Sequence, residues 1–228
     1  MRAEPRTEQG GLSIRNWGVF LVTDRKQTAG RELVEVLSQA FAGGVRAIQL
    51  REKDLETVEM YRLGERLLSM TRKAGAALII NDRVDVAMAL GADGVHLTRK
   101  SLPPREARAL VGSDLLLGVS CHGLADVREA VEGGVDYLLF GPIYATPSKA
   151  SYGPPLGLDM LRQARAICPI PILAIGGITA PRVPEALGAG ADGVAVISAI
   201  LAAPDPGRAS RELIEAVARV RATGQLGD

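Results

Sequence analysis

Two short stretches near the C-terminal end carry the clearest chemical signal. Ala174-Ile175-Gly176-Gly177-Ile178 and Val196-Ile197-Ser198-Ala199-Ile200 each continue an apolar run into small residues. Glycine at 176 and 177 lets backbone N–H groups approach an oxyanion with no Cβ in the way, and Ser198 adds a hydroxyl donor or a helix cap. Together Gly177, Ile197 and Ser198 make a candidate phosphate cradle; a tight turn is the plainer reading of the glycines. Upstream stands Gln49-Leu50-Arg51-Glu52-Lys53. On a strand Gln49 and Arg51 share one face, with Lys53 just beyond. A guanidinium fork beside an ammonium suits a phosphate or diphosphate, the alternative being a rim of salt bridges with Glu52 and Asp54. In Ile80-Asn81-Asp82-Arg83, Asn81 offers donor and acceptor to a heteroaromatic ring and Asp82 an oxygen ligand to Mg2+, while a helix N-cap accounts for one of the pair equally well.

The chain has only two histidines, His96 and His122. An imidazole that titrates near neutrality can act as acid and base, which makes His122, beside Ser120, a candidate proton carrier. His96 reads as a buried, hydrogen-bonded residue. No acid completes a triad with Ser120, so acyl transfer is set aside. The segment 141–149 is long for a connection and ends Thr146-Pro147-Ser148-Lys149, a hydroxyl pair beside a lysine, as expected of a loop that closes over substrate.

These residues need a frame that brings them to one place. Apolar runs at 19–22, 45–50, 77–80, 94–97, 115–119, 137–140, 170–174 and 193–197 alternate with stretches such as 56–73 and 124–132, where apolar residues recur at three- and four-residue spacing. Short runs without polar alternation suit strands buried on both faces. Eight strand–helix repeats imply an α/β fold, a (β/α)8 TIM barrel of one domain, with its chemistry at the carboxyl ends of the strands and phosphate after the last two. Glycines at 43–44, 91, 133–134 and 190 each precede a strand and read as helix-to-strand punctuation. The barrel is expected over 17–222, with 1–16 as a polar N-terminal arm lacking an apolar leader core and 223–228 as a tail.

The 228 residues are 47% hydrophobic but only 4% aromatic, so Val, Leu, Ile and Ala must fill the barrel. A net charge of +1 gives no field for nucleic acid or an anionic membrane. Cys121 and Cys168 lack metal-ligand spacing, which favours a reducing cytoplasm. The helical exterior leaves a homo-oligomer open.

Seven motifs in order resemble the thiamin-phosphate synthase/TenI family over residues 19–220. They are Gln49-Leu50-Arg51-Glu52-Lys53, Ile80-Asn81-Asp82, Asp93-Gly94-Val95-His96-Leu97, Gly118-Val119-Ser120-Cys121-His122, the 141–149 loop, Ile175-Gly176-Gly177-Ile178 and the stretch 191–200. The resemblance implies that hydroxymethylpyrimidine diphosphate loses Mg2+-bound diphosphate to give a pyrimidine carbocation, which the nitrogen of thiazole phosphate captures to form thiamin phosphate. It also implies that Gln49, Arg51, Lys53, Asn81, Ser120 and Lys149 hold pyrimidine and diphosphate. Thr146 and Ser148 then face the thiazole, and Gly177, Ile197 and Ser198 hold its phosphate. One departure stands out. Where synthases of this kind carry a second Mg2+-binding aspartate, this chain has Ser101, within Thr98-Arg99-Lys100-Ser101, and Arg99 could replace part of the metal's charge. That departure resembles the TenI branch of metal-free thiazole tautomerases, in which the residue at His122 shuttles the proton. A non-catalytic regulator that binds thiamin intermediates is the third reading.

Overall fold

Continuous runs of Val, Ile, Leu and Ala have two faces to bury, and a closed parallel sheet wrapped in helices buries both. The computed structural model describes residues 13–146 and 154–224 and shows this arrangement. The strands are β1 (Val19–Val22), β2 (Ala47–Leu50), β3 (Ala77–Asn81), β4 (Gly94–Leu97), β5 (Leu116–Cys121), β6 (Tyr137–Phe140), β7 (Ile172–Ile175) and β8 (Gly193–Val196). They pair in chain order, all parallel, and β8 closes on β1 with Val19 opposite Val194. Helices α2 (Leu33–Ala42), α3 (Thr57–Ala74), α4 (Val84–Leu90), α5 (Pro104–Val111), α6 (Leu124–Glu132), α7 (Gly157–Ile167), α8 (Val183–Gly188) and α10 (Pro206–Ala222) form the outer layer, with the short α9 (Ser198–Leu201) before the last.

Side-chain alternation splits the core in two. One set of strand residues, including Leu21, Ile48, Ile80, Val119 and Phe140, packs outward against the helices. The other set, Phe20, Ala47, Ala77, Ile79, Tyr137, Leu139, Leu173 and Ala195, fills the barrel. The end of the stretch expected to be an arm forms α1 (Ile14–Trp17), whose Ile14 and Trp17 join the inner set. Trp17 stacks on Phe20 with ring centroids 5.2 Å apart and meets Tyr137 edge-on at 5.5 Å, plugging the floor of the barrel.

Some boundaries differ from the sequence reading. Val45 and Ile170 precede their strands, and β5 runs two residues beyond 119, placing Ser120 and Cys121 in the strand. Polarity marks what a side chain faces, and the backbone ladder can continue past it. The glycine-led turns also have a second function. The aspartates that end them reach back to the preceding strand: Asp93 accepts from the Leu78 N–H at 2.8 Å, Asp136 from Leu117 at 2.7 Å and Asp192 from Ile172 at 2.8 Å. Arg108 and Arg165 neutralise the last two at 2.5 and 2.8 Å. Strand pairs 3–4, 5–6 and 7–8 are thereby stapled at the floor.

Candidate active site

At the carboxyl ends of β2 to β5 the inner face turns polar. Gln49 Nε2 donates to Asn81 Oδ1 at 2.8 Å, and both side chains are buried. Among the described residues, the Gln49 side-chain oxygen Oε1 and the Asn81 side-chain nitrogen Nδ2 make no other hydrogen bond, leaving an acceptor and a donor at the mouth. Asn81 stands in register with His96, and His96 with Gly118. The His96 ring nitrogens meet the Ser120 hydroxyl at 2.9 Å and the Tyr137 hydroxyl at 3.2 Å. Burial, helped by the Arg51 charge, pushes the His96 imidazole down to about 3, so it is neutral at physiological pH. His96 is thus buried and satisfied, as its place within the strand suggests.

Asp82 follows directly, with a left-handed backbone at φ +66°. Aspartate tolerates this region better than most residues, and such strain gathers at sites where a side chain must be aimed. Its carboxylate accepts from the Ser101 hydroxyl, which itself accepts from the Thr98 N–H at 2.7 Å. Neither Asn81 nor Asp82 caps α4; that position falls to Arg83, whose side chain makes no cap bond. Arg99 does not reach this pair. Its guanidinium lies 3.0 Å from Asp126, which also accepts the His122 N–H at 2.7 Å, so its charge belongs to the start of α6.

Arg51 and Lys53 extend the tip of β2, and a clamp from β1 holds that tip. Thr23 Oγ1 accepts the Arg51 N–H at 2.9 Å. Glu52 is buried and accepts from the Arg25 backbone N–H and guanidinium, while Asp54 takes the guanidinium's two-pronged contact at 2.7 and 3.0 Å and Lys26 at 2.8 Å. The acidic residues of the motif are therefore engaged by Arg25 and Lys26 from the neighbouring connection.

On the opposite side of the mouth, the connection after β6 adds two backbone bonds to β7, Ile143 N–H to Ile175 O at 2.9 Å and Tyr144 N–H to Gly176 O at 3.0 Å. This close approach explains the glycine pair. A Cβ on Gly176 would lie 2.5 Å from Pro142 Cβ, and one on Gly177 would lie 2.8 Å from Tyr144 Cβ. Both residues also have positive φ, at +99° and +66°. Arg182 donates to Gly177 O at 2.6 Å and lies over the Tyr144 ring at 4.4 Å, and the Tyr144 hydroxyl donates to Glu185 at 2.8 Å. Ile197 precedes α9 and Ser198 begins it, where the first N–H groups lack intrahelical acceptors. The N-cap position is Ile197, so Ser198 is the first residue of the helix and not its cap. Thr146 is half-buried; Ser148 and Lys149 lie outside the described residues.

His122 Nδ1 faces the Gly141 carbonyl at 2.5 Å, tying β5 to the start of the long connection. Cys121 faces outward into the helix–sheet layer, where burial pushes its thiol well above the usual range; that argues against reactivity. Arg25, Tyr137 and Arg182 were missed by sequence reasoning. Strand alternation alone could have drawn attention to Tyr137, which has inward parity with Leu139.

The profile described as thiamine monophosphate synthase matches residues 19–200. The chain belongs to the thiamine monophosphate synthase family. It is 45% identical to the thiamine-phosphate synthase of Moorella thermoacetica over 205 residues, 90% of this chain and 98% of that one. It is 46% identical to the thiamine-phosphate synthase of Chloroflexus aurantiacus, covering 88% and 92%. The solved thiamine phosphate pyrophosphorylase of Pyrococcus furiosus superposes with a TM-score of 0.83 at 38% identity, over 90% of this chain and 98% of that one. A 3-hexulose-6-phosphate synthase, at 18% identity and a TM-score of 0.66, shares the fold. Among the described residues no helix is long and apolar enough to cross a membrane.

Proposed function

We propose that this protein is a transferase that joins hydroxymethylpyrimidine diphosphate to thiazole phosphate, giving thiamin phosphate and diphosphate. The observation that carries this reading, alongside family membership, is the buried Gln49–Asn81 pair next to Asp82. A site that only moves a proton on a thiazole needs neither the ring-binding amides nor an aimed carboxylate. The tautomerase and regulator readings are therefore not favoured.

Gln49 and Asn81 present their remaining acceptor and donor to the pyrimidine, with Ser120 beside them. Arg51 and Lys53 receive the diphosphate as its bond to the pyrimidine methylene breaks and negative charge collects on the leaving oxygens. The thiazole nitrogen then bonds to that methylene carbon. Gly177, Ile197 and Ser198 hold the thiazole phosphate through backbone N–H groups and a hydroxyl; from the connection after β6, Thr146 and Ser148 serve the thiazole and Lys149 the diphosphate. His122, anchored to Gly141, helps hold that connection.

The Asp82–Ser101 pair suits a metal that arrives with its diphosphate. Mg2+ is commonly bound by one or two carboxylates with substrate phosphates and waters, and no group of three or more His, Cys, Asp or Glu stands ready among the described residues. Asp82 and Ser101 would hold Mg2+, which when bound neutralises charge on the departing diphosphate. Cys121 and Cys168 are both free thiols, in keeping with a reducing cytoplasm.

The test is incubation with both substrates and Mg2+, following thiamin phosphate as fluorescent thiochrome. Turnover that EDTA abolishes and Mg2+ restores is expected. No product beside an active synthase control overturns the reading.

A further inference from the structure

His96 on β4, Gly118 on β5 and Tyr137 on β6 stand in one row across the barrel. Tyr137 is separated from His96 by a whole strand, yet its hydroxyl reaches the imidazole. Gly118 makes this reach available: a Cβ there would lie 2.1 Å from Tyr137 Cζ and 2.5 Å from its hydroxyl. The phenol ring occupies the space that any other residue at 118 would fill.

Tyr137 is fully buried, and its hydroxyl has one hydrogen-bond partner among the described residues, His96 Nδ1. Leaving a buried O–H without an acceptor costs about 1–3 kcal/mol. Tyr137 therefore donates, and Nδ1 must carry the lone pair. A doubly protonated ring would orphan the phenol proton, and burial opposes that charge. The single ring proton is then on Nε2, facing Ser120 Oγ at 2.9 Å. The Ser120 oxygen accepts there, so its own proton has to point elsewhere.

We infer that Tyr137 holds His96 as the Nε2–H tautomer and thereby commits the Ser120 hydroxyl to donate toward the barrel mouth, selecting a ligand that presents a lone-pair acceptor there, of the kind an aromatic ring nitrogen supplies. Tyr137 and His96 are positioning residues in this scheme, acting through Ser120. The identity of the ligand rests on the synthase reading; the tautomer does not.

The chain contains its own reference. His122 Nδ1 faces a carbonyl, which can only accept, so the neutral His122 ring carries its proton on Nδ1. The two histidines are opposite tautomers. In a long-range proton–nitrogen correlation spectrum of the 15N-histidine-labelled full chain at about pH 8, His96 should show a protonated Nε2 and a bare Nδ1 and His122 the reverse, assigned with His122→Asn. A protonated Nδ1 at His96 overturns the inference, and this readout stands whether or not the protein turns over.

In the turnover assay, Tyr137→Phe keeps the ring and should raise KM for the pyrimidine diphosphate about 5-fold while leaving KM for thiazole phosphate within about 2-fold. In a Ser120→Ala background the same change should have almost no effect, because the hydroxyl it orients is gone. An equal effect in both backgrounds overturns the relay. Circular dichroism and the thermal midpoint of each variant separate misfolding from the specific effect.

Discussion

Arg25→Ala tests whether the basic tip of β2 depends on the clamp that surrounds it. Glu52 is only 3% exposed and accepts the Arg25 backbone N–H at 3.2 and 3.1 Å through its two oxygens, with the guanidinium at 3.2 Å. Alanine keeps the backbone donor and removes the cation. Stripping the partner from a buried carboxylate costs about 3–5 kcal/mol. The retained N–H and the 35% exposure of Arg25 reduce this to about 2 kcal/mol. Loss of the solvent-screened Arg25–Asp54 contact, where Asp54 is 42% exposed, adds only a little. The expected loss of about 2–3 kcal/mol appears as a lower urea midpoint at constant m value. The functional effect should be one-sided. Thr23 still holds the Arg51 N–H, but the chain beyond Glu52, which carries Lys53, loses its anchor. KM for the pyrimidine diphosphate should rise about 10-fold, a partial misplacement, with KM for thiazole phosphate unchanged. A stability loss with both KM values intact would refute the positioning argument, and intact stability would refute the burial argument.

Asp136→Ala removes the acceptor shared by the Leu117 N–H and Arg108, so the thermal midpoint should fall by about 5 °C with kinetics unchanged; an unshifted midpoint would show that the floor staple contributes nothing. Gly177→Ala places a methyl against Tyr144 and the Ala145 carbonyl at positive φ, and should raise KM for thiazole phosphate at least about 10-fold; an unaffected KM would remove Gly177 from the phosphate site. Native His96 resists protonation down to about 3, whereas an ordinary imidazole takes its proton near 6.5, so the unfolded chain binds more protons in between and stability falls as pH drops through that window. The slope from this residue approaches 1.4 kcal/mol per pH unit (roughly, at its steepest), and His96→Gln should flatten it in urea midpoints; an unchanged slope would show that His96 is protonated in the native state.

The barrel was legible because parallel strands buried on both faces cannot hide their composition. The strand-end rule then located Gln49, Asn81, Asp82 and Ser120 without any contact being known. Partnership was a different matter. Arg51, Lys53, Glu52 and Asp54 look like one self-neutralising rim when read along the chain, but the acids are engaged from a connection 27 residues earlier in the case of Glu52. Arg99, three residues after His96, looks placed to serve Asp82, yet Asp126 across the next connection holds it. Spacing along one segment reports which groups share a face. It carries no information on what the neighbouring strand offers them, because that depends on register.

The two histidines show why register matters for chemistry. Both are imidazoles on or just past adjacent strands, and sequence separates them as a buried residue and a candidate proton carrier without saying which nitrogen of either ring bears the proton. One meets a phenol that must donate, the other a carbonyl that must accept, so one ring is protonated at Nε2 and the other, when neutral, at Nδ1. A glycine at 118 decides the first outcome, since any side chain there would keep the phenol from the ring. Residue type and strand address specify which groups can reach the mouth. The direction in which each group gives or takes a proton is specified by neighbours such as Tyr137 and Gly118, on strands whose register the linear pattern does not encode.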